Sequence, residues 1–134
     1  MSRDLDHLAP DVRALAHSFL ALCNERGLDV IVTCTYRSPE EQAELYAQGR
    51  TKPGKIVTKA KPGQSLHNLE DAEGFPAARA FDVVPIRLGK PVWGTKGEDL
   101  VLWQRVGQAG KDVGLEWAGD WPRFTEFPHL QLRA

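Results

Sequence analysis

The sequence lacks the features that mark cysteine-rich zinc proteins, membrane proteins and nucleic-acid-binding proteins. Only two of its 134 residues are cysteines, Cys23 and Cys34, and they lack the C-x-x-C spacing of a cysteine-rich zinc site. We expect two buried free thiols, with a disulfide as the open alternative. No apolar run approaches about 18 residues, so membrane insertion is not expected. The net charge of −1 gives no reason to expect nucleic acid as a partner.

The chain also lacks a recognisable targeting segment. Its opening residues, MSRDLDHLAPDV, have no apolar stretch of the kind found in signal peptides. We therefore expect synthesis in the cytoplasm, and action elsewhere would need another component to release the protein. No repeat, low-complexity run or linker divides the sequence, so we expect one domain over residues 1–134 and a monomer.

Apolar periodicity and capping residues predict three helices. Apolar side chains recur at three- and four-residue steps between Leu8 and Cys23, which is typical of an amphipathic helix. A second helix is predicted to begin after Ser38, where Glu41 completes a capping box, and to end at Gly49. A third helix is predicted over residues 97–114, with these candidate core residues: Leu100, Val101, Trp103, Val106 and Val113.

Short β-branched or apolar runs predict the strands, which are expected over residues 28–34, 79–86, 115–117 and 128–132. The basic segment 50–64 contains two Pro-Gly pairs and is predicted to be a loop, with a short strand at Ile56–Val57 as an option. Helices and strands are mixed without a regular βαβ repeat. The sequence therefore favours an α+β fold, with a small, mostly antiparallel sheet and helices packed on it.

Two of the four histidines have a sequence context that suggests a site. His7 and His17 lie in or beside the first predicted helix, where a surface or capping role is expected. His67 lies in the loop sequence GQSLHN, and loops often carry functional residues. In the predicted strand EFPHLQL, His129 and Gln131 share one face while the leucines share the other. Such a strand can hold a polar site over an apolar core.

Asp82 is a carboxylate in the otherwise apolar strand sequence AFDVVP. An unpaired buried charge is very costly, so Asp82 should bind a metal ion or pair with an arginine such as Arg37 or Arg79. Two histidines, His67 and His129, would complete with it the three protein ligands that are typical of catalytic zinc.

A hydrolytic metal site also needs a general base nearby. Glu126, three residues before His129, is the best candidate in the sequence. The alternative is that Glu126 is a solvated loop carboxylate. The H-E-x-x-H motif of the common zinc peptidases is absent.

Four segments in this order resemble the LAS-type zinc peptidases, which include D-alanyl-D-alanine carboxypeptidases and dipeptidases, phage L-alanyl-D-glutamate endolysins and the zinc domain of hedgehog proteins. The segments are Thr35–Gln42 (TYRSPEEQ), Ser65–His67 (SLH), Ala80–Asp82 (AFD) and Glu126–His129 (EFPH). Each segment alone is a weak signal, but the four in order are specific. The resemblance runs from about Val30 to Leu132 and implies a hedgehog/D-Ala-D-Ala-peptidase-like fold.

The resemblance implies a role for each matching residue. His67, Asp82 and His129 would bind Zn2+, and Glu126 would be the catalytic base. Arg37 would approach the substrate or the developing oxyanion, with a structural salt bridge as the alternative.

Two further residues have two readings each. Ser65 would either hydrogen-bond near the site or shape the turn before His67. Trp121 resembles a tryptophan that precedes the family's last motif, and it would either line a substrate cleft or pack in the core.

One spacing departs from the family pattern. The first histidine and the aspartate are usually close, as in H-x-x-G-x-A-x-D, whereas fifteen positions separate His67 from Asp82. Asp71 is nearer to His67 but lacks the strand context, so Asp82 is favoured. The insertion over 68–81 is expected to be a solvated acidic loop. A lid, a substrate-selecting loop or a regulatory cation site are the alternatives.

The resemblance implies zinc-dependent hydrolysis of an amide bond in a peptidoglycan stem peptide. Small size and the missing signal peptide favour an L-alanyl-D-glutamate endopeptidase of a phage or prophage, acting in the periplasm after release. A D-alanyl-D-alanine carboxypeptidase or dipeptidase is the second expectation. A non-catalytic zinc-containing binding module is the third, and the presence of Glu126 argues against it.

Overall fold

The computed structural model describes residues 1–134 and contains the three helices expected from the sequence. They are α1 (Pro10–Glu25), α2 (Pro39–Ala47) and α3 (Glu98–Asp112). The predicted capping box at α2 is present, because the Ser38 side chain accepts from the Glu41 backbone and Glu41 accepts from the Ser38 backbone. None of the helices combines the length and apolar character needed to cross a membrane.

Five strands form one antiparallel sheet. They are β1 (Val30–Cys34), β2 (Ala80–Arg87), β3 (Lys90–Pro91), β4 (Glu116–Trp117) and β5 (His129–Gln131). The strand order is β1-β2-β5-β4, and β3 pairs with β2 as a short hairpin. The observed fold is therefore the predicted α+β arrangement, although the β3 hairpin was not predicted.

The two faces of this sheet differ in chemistry because side chains alternate along each strand. Phe81 in β2 is paired with Leu130 in β5, and both are fully buried in the core beneath α1 and α3. Phe19 of α1 meets Phe81 edge to face at a ring distance of 5.9 Å. The opposite face carries Asp82, which is paired with His129. One face thus anchors the sheet to the helices and the other displays polar side chains.

Two local predictions are wrong, and one about the cysteines is confirmed. Ile56 and Val57 form no strand, because no neighbouring strand is available to pair with them; both side chains are about half exposed. Val101 is exposed on the outer face of α3, whereas Trp103 and Val106 are buried as predicted. Cys23 and Cys34 are both buried free thiols.

Helix α3 approaches the sheet closely at Gly107. A Cβ atom added at Gly107 would overlap the indole ring of Trp117 in β4. We expect Gly107→Ala to lower the free energy of unfolding, since overpacking a core costs about 1–3 kcal/mol. The gain of up to about 1 kcal/mol from alanine in a helix offsets this only in part. Thermal unfolding would measure the difference, and Val101→Ala on the exposed face should change it by less than about 0.5 kcal/mol.

Candidate functional site

A row of polar side chains crosses three strands of the sheet on its open face. The strand register places Cys34 of β1 opposite Asp82 of β2, and Asp82 opposite His129 of β5. His67 reaches the same row from a short 3-10 turn, Leu66–Asn68, that lies outside the sheet. The structure thus brings together the two histidines and the aspartate singled out in the sequence.

The protonation of His67 is fixed by its surroundings. Its Nδ1 lies 2.7 Å from the carbonyl oxygen of Thr35. A carbonyl can only accept, so Nδ1 carries a proton and Nε2 is the nitrogen left to take a second proton or to bind a cation. Nε2 faces Oδ1 of Asp82 at 3.3 Å. His67 is 2% exposed, so the contact with Asp82 is shielded from water.

His129 is fixed in the complementary way. Its Nε2 lies 2.8 Å from Oε1 of Gln131, while the Gln131 amide nitrogen donates to Glu116 Oε1 at 3.2 Å. The carboxylate can only accept, so the amide oxygen must face the ring and His129 Nε2 carries the proton. The other ring nitrogen, Nδ1, is 3.2 Å from Oδ1 of Asp82.

One nitrogen of each imidazole, Nε2 of His67 and Nδ1 of His129, therefore faces the same carboxylate oxygen of Asp82. This arrangement needs a positive charge between the three atoms, either protons or a cation. Burial lowers the pKa of His67, but the charge of Asp82 outweighs burial and raises that pKa above its ordinary value. Burial raises the pKa of Asp82, but His67 and His129 hold it well below its usual range. A donor set of two neutral imidazoles and one carboxylate fits a zinc ion with an open fourth position.

Arg37 lies at the side of this cluster. Its Nη2 is 3.6 Å from Asp82 Oδ2, and its Nη1 donates to Gln42 Oε1 at 2.9 Å. Asp82 thus lies near an arginine, as one of the two sequence predictions had it, and also near the two histidines of the other prediction. Arg79, the other arginine considered, instead forms a bidentate pair with Asp11.

Glu126 lines the same cleft and is half-buried. Burial raises the pKa of Glu126, although His129 partly offsets the effect. A carboxylate whose pKa is raised is better matched to proton transfer near neutral pH than a solvated one. Its position disagrees with the alternative of a fully solvated loop carboxylate.

The cleft has a volume of about 650 Å³ and opens beside the Asp82 row. Trp121 lines it, with its indole ring 5.7 Å from the His129 ring and its Nε1 donating to Glu116. Ser65 also lines it, and its hydroxyl accepts from the His67 backbone at 3.2 Å. Of the two readings for Ser65, the observed contact is the one that shapes the turn.

The far side of the cleft comes from two loops. Lys59 lies in the basic segment and places its ammonium 5.1 Å from the ring centre of Phe124. Phe124 adopts a left-handed backbone with φ of 55°, which is unusual for an aromatic residue and is typical of functional loops. Ile56 and Val57 also line the cleft, so the exposed apolar pair borders the site.

The comparison with known proteins identifies the family. A profile described as VanY, D-alanyl-D-alanine carboxypeptidase, matches residues 6–118. The chain belongs to this family. It is 37% identical over 129 residues to the peptidoglycan L-alanyl-D-glutamate endopeptidase CwlK of Bacillus subtilis (strain 168), covering 93% of this chain and 73% of the relative. It is 28% identical to the L-alanyl-D-glutamate peptidase of Listeria phage A118, covering 96% of this chain and 39% of the relative.

Solved structures show the same fold at low sequence identity. The L-Ala D-Glu endopeptidase ChiX of Serratia marcescens superposes with a TM-score of 0.61 at 18% identity, covering 96% of this chain and 83% of that one. The LD-carboxypeptidase LdcB superposes with a TM-score of 0.67 at 14% identity, covering 92% and 58%. The predicted peptidase-like fold is confirmed by these two structures.

Within this family member, Cys34 offers a second set of potential ligands that the sequence did not reveal. Cys34, His67 and Asp82 carry ligand atoms that lie within 4.8 Å of one another. However, the Cys34 thiol contacts Nδ1 of His67 at 3.8 Å, whereas Asp82 contacts Nε2. Nδ1 is occupied by its hydrogen bond to Thr35, so a cation at this ring would use Nε2, on the side of Asp82 and His129.

The acidic turn of the insertion, residues 70–75, is exposed and does not line the cleft. Asp71 does not line the cleft; its carboxylate accepts from the backbones of Glu73 and Phe75 within its own turn. Glu70 accepts from the Tyr36 hydroxyl at 2.6 Å. No group of three potential ligand side chains lies in this segment. His7 and His17 are also outside the cleft, and His17 is exposed.

Gln42 is a site residue that the sequence reasoning missed. It is fully buried, and its amide nitrogen donates to Ala60 O at 2.7 Å while its oxygen accepts from Arg37. It therefore connects the guanidinium to the loop that forms the far side of the cleft. In the sequence, Gln42 is the last residue of the family-like segment Thr35–Gln42, but nothing there assigned it a contact with Arg37.

We expect Gln42→Leu to lower peptidase activity by about tenfold or more, since a misplacement of about 1 Å in an active site costs up to ~100-fold. The leucine keeps the volume but leaves Arg37 without its acceptor. Steady-state kinetics would measure the loss, with the exposed Gln108→Leu as a matched control. Unchanged kcat and KM in Gln42→Leu would show that Arg37 does not need this support.

Proposed function

We propose that this chain is a zinc-dependent L-alanyl-D-glutamate endopeptidase that hydrolyses peptidoglycan stem peptides. The proposed substrate rests on the 37% identity to an L-alanyl-D-glutamate endopeptidase over 93% of the chain. Two imidazole nitrogens that face one largely buried carboxylate oxygen support the metal. The phage relative supports an endolysin role, with action on the cell wall.

His67, Asp82 and His129 are the proposed ligands, through Nε2, the carboxylate and Nδ1. We prefer His129 to Cys34 as the third ligand because its Nδ1 faces Asp82, whereas the thiol lies on the other side of the His67 ring. Zinc, when bound, supplies a Lewis acid for the scissile carbonyl and lowers the pKa of a water toward about 7.

The chain's own residues account for the rest of the hydrolysis. Glu126 takes a proton from the attacking water, whose oxygen adds to the carbonyl carbon of L-alanine. The C–N bond then breaks, and Glu126 passes the proton to the leaving amine of D-glutamate. Arg37 donates to the oxygen on which negative charge develops. Trp121 and Ser65 line the cleft where the substrate would lie.

One cation of the cleft has no ion-pair partner and could meet an acidic substrate. Arg37 lies near Asp82 and Arg133 pairs with Glu116, whereas no carboxylate lies within ion-pair distance of Lys59. D-glutamate keeps a carboxylate beside the bond that would be cut. A D-alanyl-D-alanine carboxypeptidase is the second candidate, favoured by the description of the matching family profile.

Digestion of purified peptidoglycan, with and without a chelator, tests the proposal. We expect chelator-sensitive products ending in a free L-alanine carboxylate, identified by mass spectrometry, and recovery of activity when Zn2+ is added back. Loss of only a terminal D-alanine would replace the endopeptidase with the carboxypeptidase. Full cleavage by metal-free protein would contradict the zinc mechanism. Zinc binding without cleavage would favour a binding module.

A further inference from the structure

Glu116 in β4 gathers hydrogen bonds from three side chains on the cleft side of the sheet. Its Oε1 accepts from Gln131 at 3.2 Å and from Arg133 Nε at 3.0 Å, and its Oε2 accepts from Trp121 Nε1 at 2.7 Å. The strand register explains the first contact, because Glu116 and Gln131 are a directly opposed pair of β4 and β5. The four family-like segments include neither Glu116 nor Gln131, although the strand pattern placed Gln131 on the same face as His129.

The two ends of this network differ in burial. Arg133 is 70% exposed, and a surface ion pair of that kind contributes little to stability. Gln131 is 4% exposed and passes the hydrogen bond on to His129 Nε2 at 2.8 Å. The buried end of the network is therefore the part that can orient a side chain of the Asp82 row, because it ends on His129.

The two hydrogen bonds at the buried end each have a fixed donor and a fixed acceptor. The carboxylate forces the Gln131 amide to turn its nitrogen outward and its oxygen toward the ring. The oxygen then holds the proton of His129 on Nε2 and leaves Nδ1 free to face Asp82. The neutral amide does this without placing a second negative charge beside the Asp82 carboxylate.

We propose that Gln131 and Glu116 are positioning residues that set the tautomer of His129 for metal binding and, through the second oxygen of Glu116, hold Trp121 against the cleft. This inference rests on the proposed role of His129 as a ligand. Partners of this kind behind a ligating histidine typically change metal affinity by about 10–100-fold. Removing Glu116 should therefore change both zinc binding, through Gln131 and His129, and the position of Trp121 in the cleft wall.

The test uses the full chain and Zn2+, with affinity measured by competition against a chromophoric chelator. Gln131→Met keeps the volume but offers His129 only a weakly accepting sulfur, and we expect it to weaken zinc binding at least tenfold. Glu116→Ala should weaken zinc binding as well and also shift the NMR resonance of the Trp121 indole N–H, which Gln131→Met should leave nearly in place. Glu116→Gln keeps one accepting oxygen for Gln131 and should restore most of the affinity, but its amide nitrogen replaces the oxygen that accepts from Trp121, so the indole N–H resonance should still shift.

Asp112→Ala is the matched control. Asp112 accepts from Arg26 and Gln108 in the same way that Glu116 accepts from Arg133 and Gln131, but neither partner of Asp112 lines the cleft, whereas Arg133 and Gln131 both do. The control should lose a similar surface network without changing zinc affinity. Long-range nitrogen–proton NMR of the zinc-free proteins would report the His129 tautomer directly.

Each outcome bears on one proposal. Wild-type affinity and an unchanged tautomer in Gln131→Met would overturn the positioning role and leave the proposed function standing. A wild-type chain that binds no zinc would overturn the proposed function. The tautomer comparison would then still decide whether Gln131 orients His129. Weaker binding in Asp112→Ala, equal to that in Glu116→Ala, would reduce the effect to general destabilisation and also overturn the inference.

Discussion

Glu126→Gln should reduce the rate of stem-peptide cleavage by about 10²–10⁴-fold, the contribution typical of a general acid–base group. The amide keeps the shape of the side chain but cannot take a proton from water. Glu126 is not one of the three proposed ligands, so zinc content should stay near that of the wild type. Steady-state cleavage of purified peptidoglycan and metal analysis of the same preparation would measure both quantities.

The control for this variant is a carboxylate that is exposed and outside the cleft. Glu44→Gln on α2 removes a surface ion pair with Lys52 and should leave cleavage unchanged. If Glu126→Gln retained more than about a tenth of the wild-type rate, Glu126 could not be the principal base. If it lost zinc together with activity, Glu126 would belong to the ligand set instead.

The strand patterns were the most informative part of the sequence. In β5 the alternation of His129, Leu130 and Gln131 correctly separated a polar face from the core. In β2 the charged Asp82 within an apolar run correctly indicated a residue with demanding partners. These predictions worked because a two-residue period and the cost of burying a charge are local properties of the chain.

The supporting residues could not be predicted because they depend on register. Glu116 meets Gln131 only because β4 and β5 pair antiparallel at that position, fifteen residues apart in sequence. Gln42 reaches Ala60 across eighteen residues and through a loop without regular structure. Cys34 lies beside His67 because a strand and a turn meet, which no motif encodes. Sequence reasoning therefore found the reactive groups but not the groups that orient them.

The 68–81 insertion illustrates a different limit. The family spacing pointed toward a nearer aspartate, and the preference for Asp82 rested on its strand context and on the family-like segment Ala80–Asp82. The structure gives the reason that the longer spacing is tolerated. A bridge between Glu70 and Pro76 closes the insertion on itself, and the Arg79 backbone N–H donates to Leu66 O at 2.9 Å, so the chain returns beside His67 before β2 begins. The ligand assignment itself stays a prediction.

Asp82→Asn should remove zinc binding and activity together, because Oδ1 is the atom that one nitrogen of each imidazole faces. We expect a loss of zinc affinity greater than the ~100-fold upper range for outer partners of a ligand. The asparagine also leaves Arg37 and His67 without a carboxylate in a largely buried site. Removing one partner of a fully buried pair costs about 3–5 kcal/mol, and we expect the lower end because the Asp82 side chain is 20% exposed. Chelator competition and denaturant unfolding would measure the two effects.

Asp11→Asn is the matched control for this variant, since Asp11 also pairs with an arginine, Arg79, but is 57% exposed and lies outside the cleft. It should cost at most about 1 kcal/mol and leave zinc affinity unchanged. The comparison separates the effect of removing a largely buried charge in the site from the effect of removing an exposed charge on the surface. Tight stoichiometric zinc in Asp82→Asn would move the metal away from the Asp82 row, and the Nδ1 side of His67 with Cys34 would become the place to look for it.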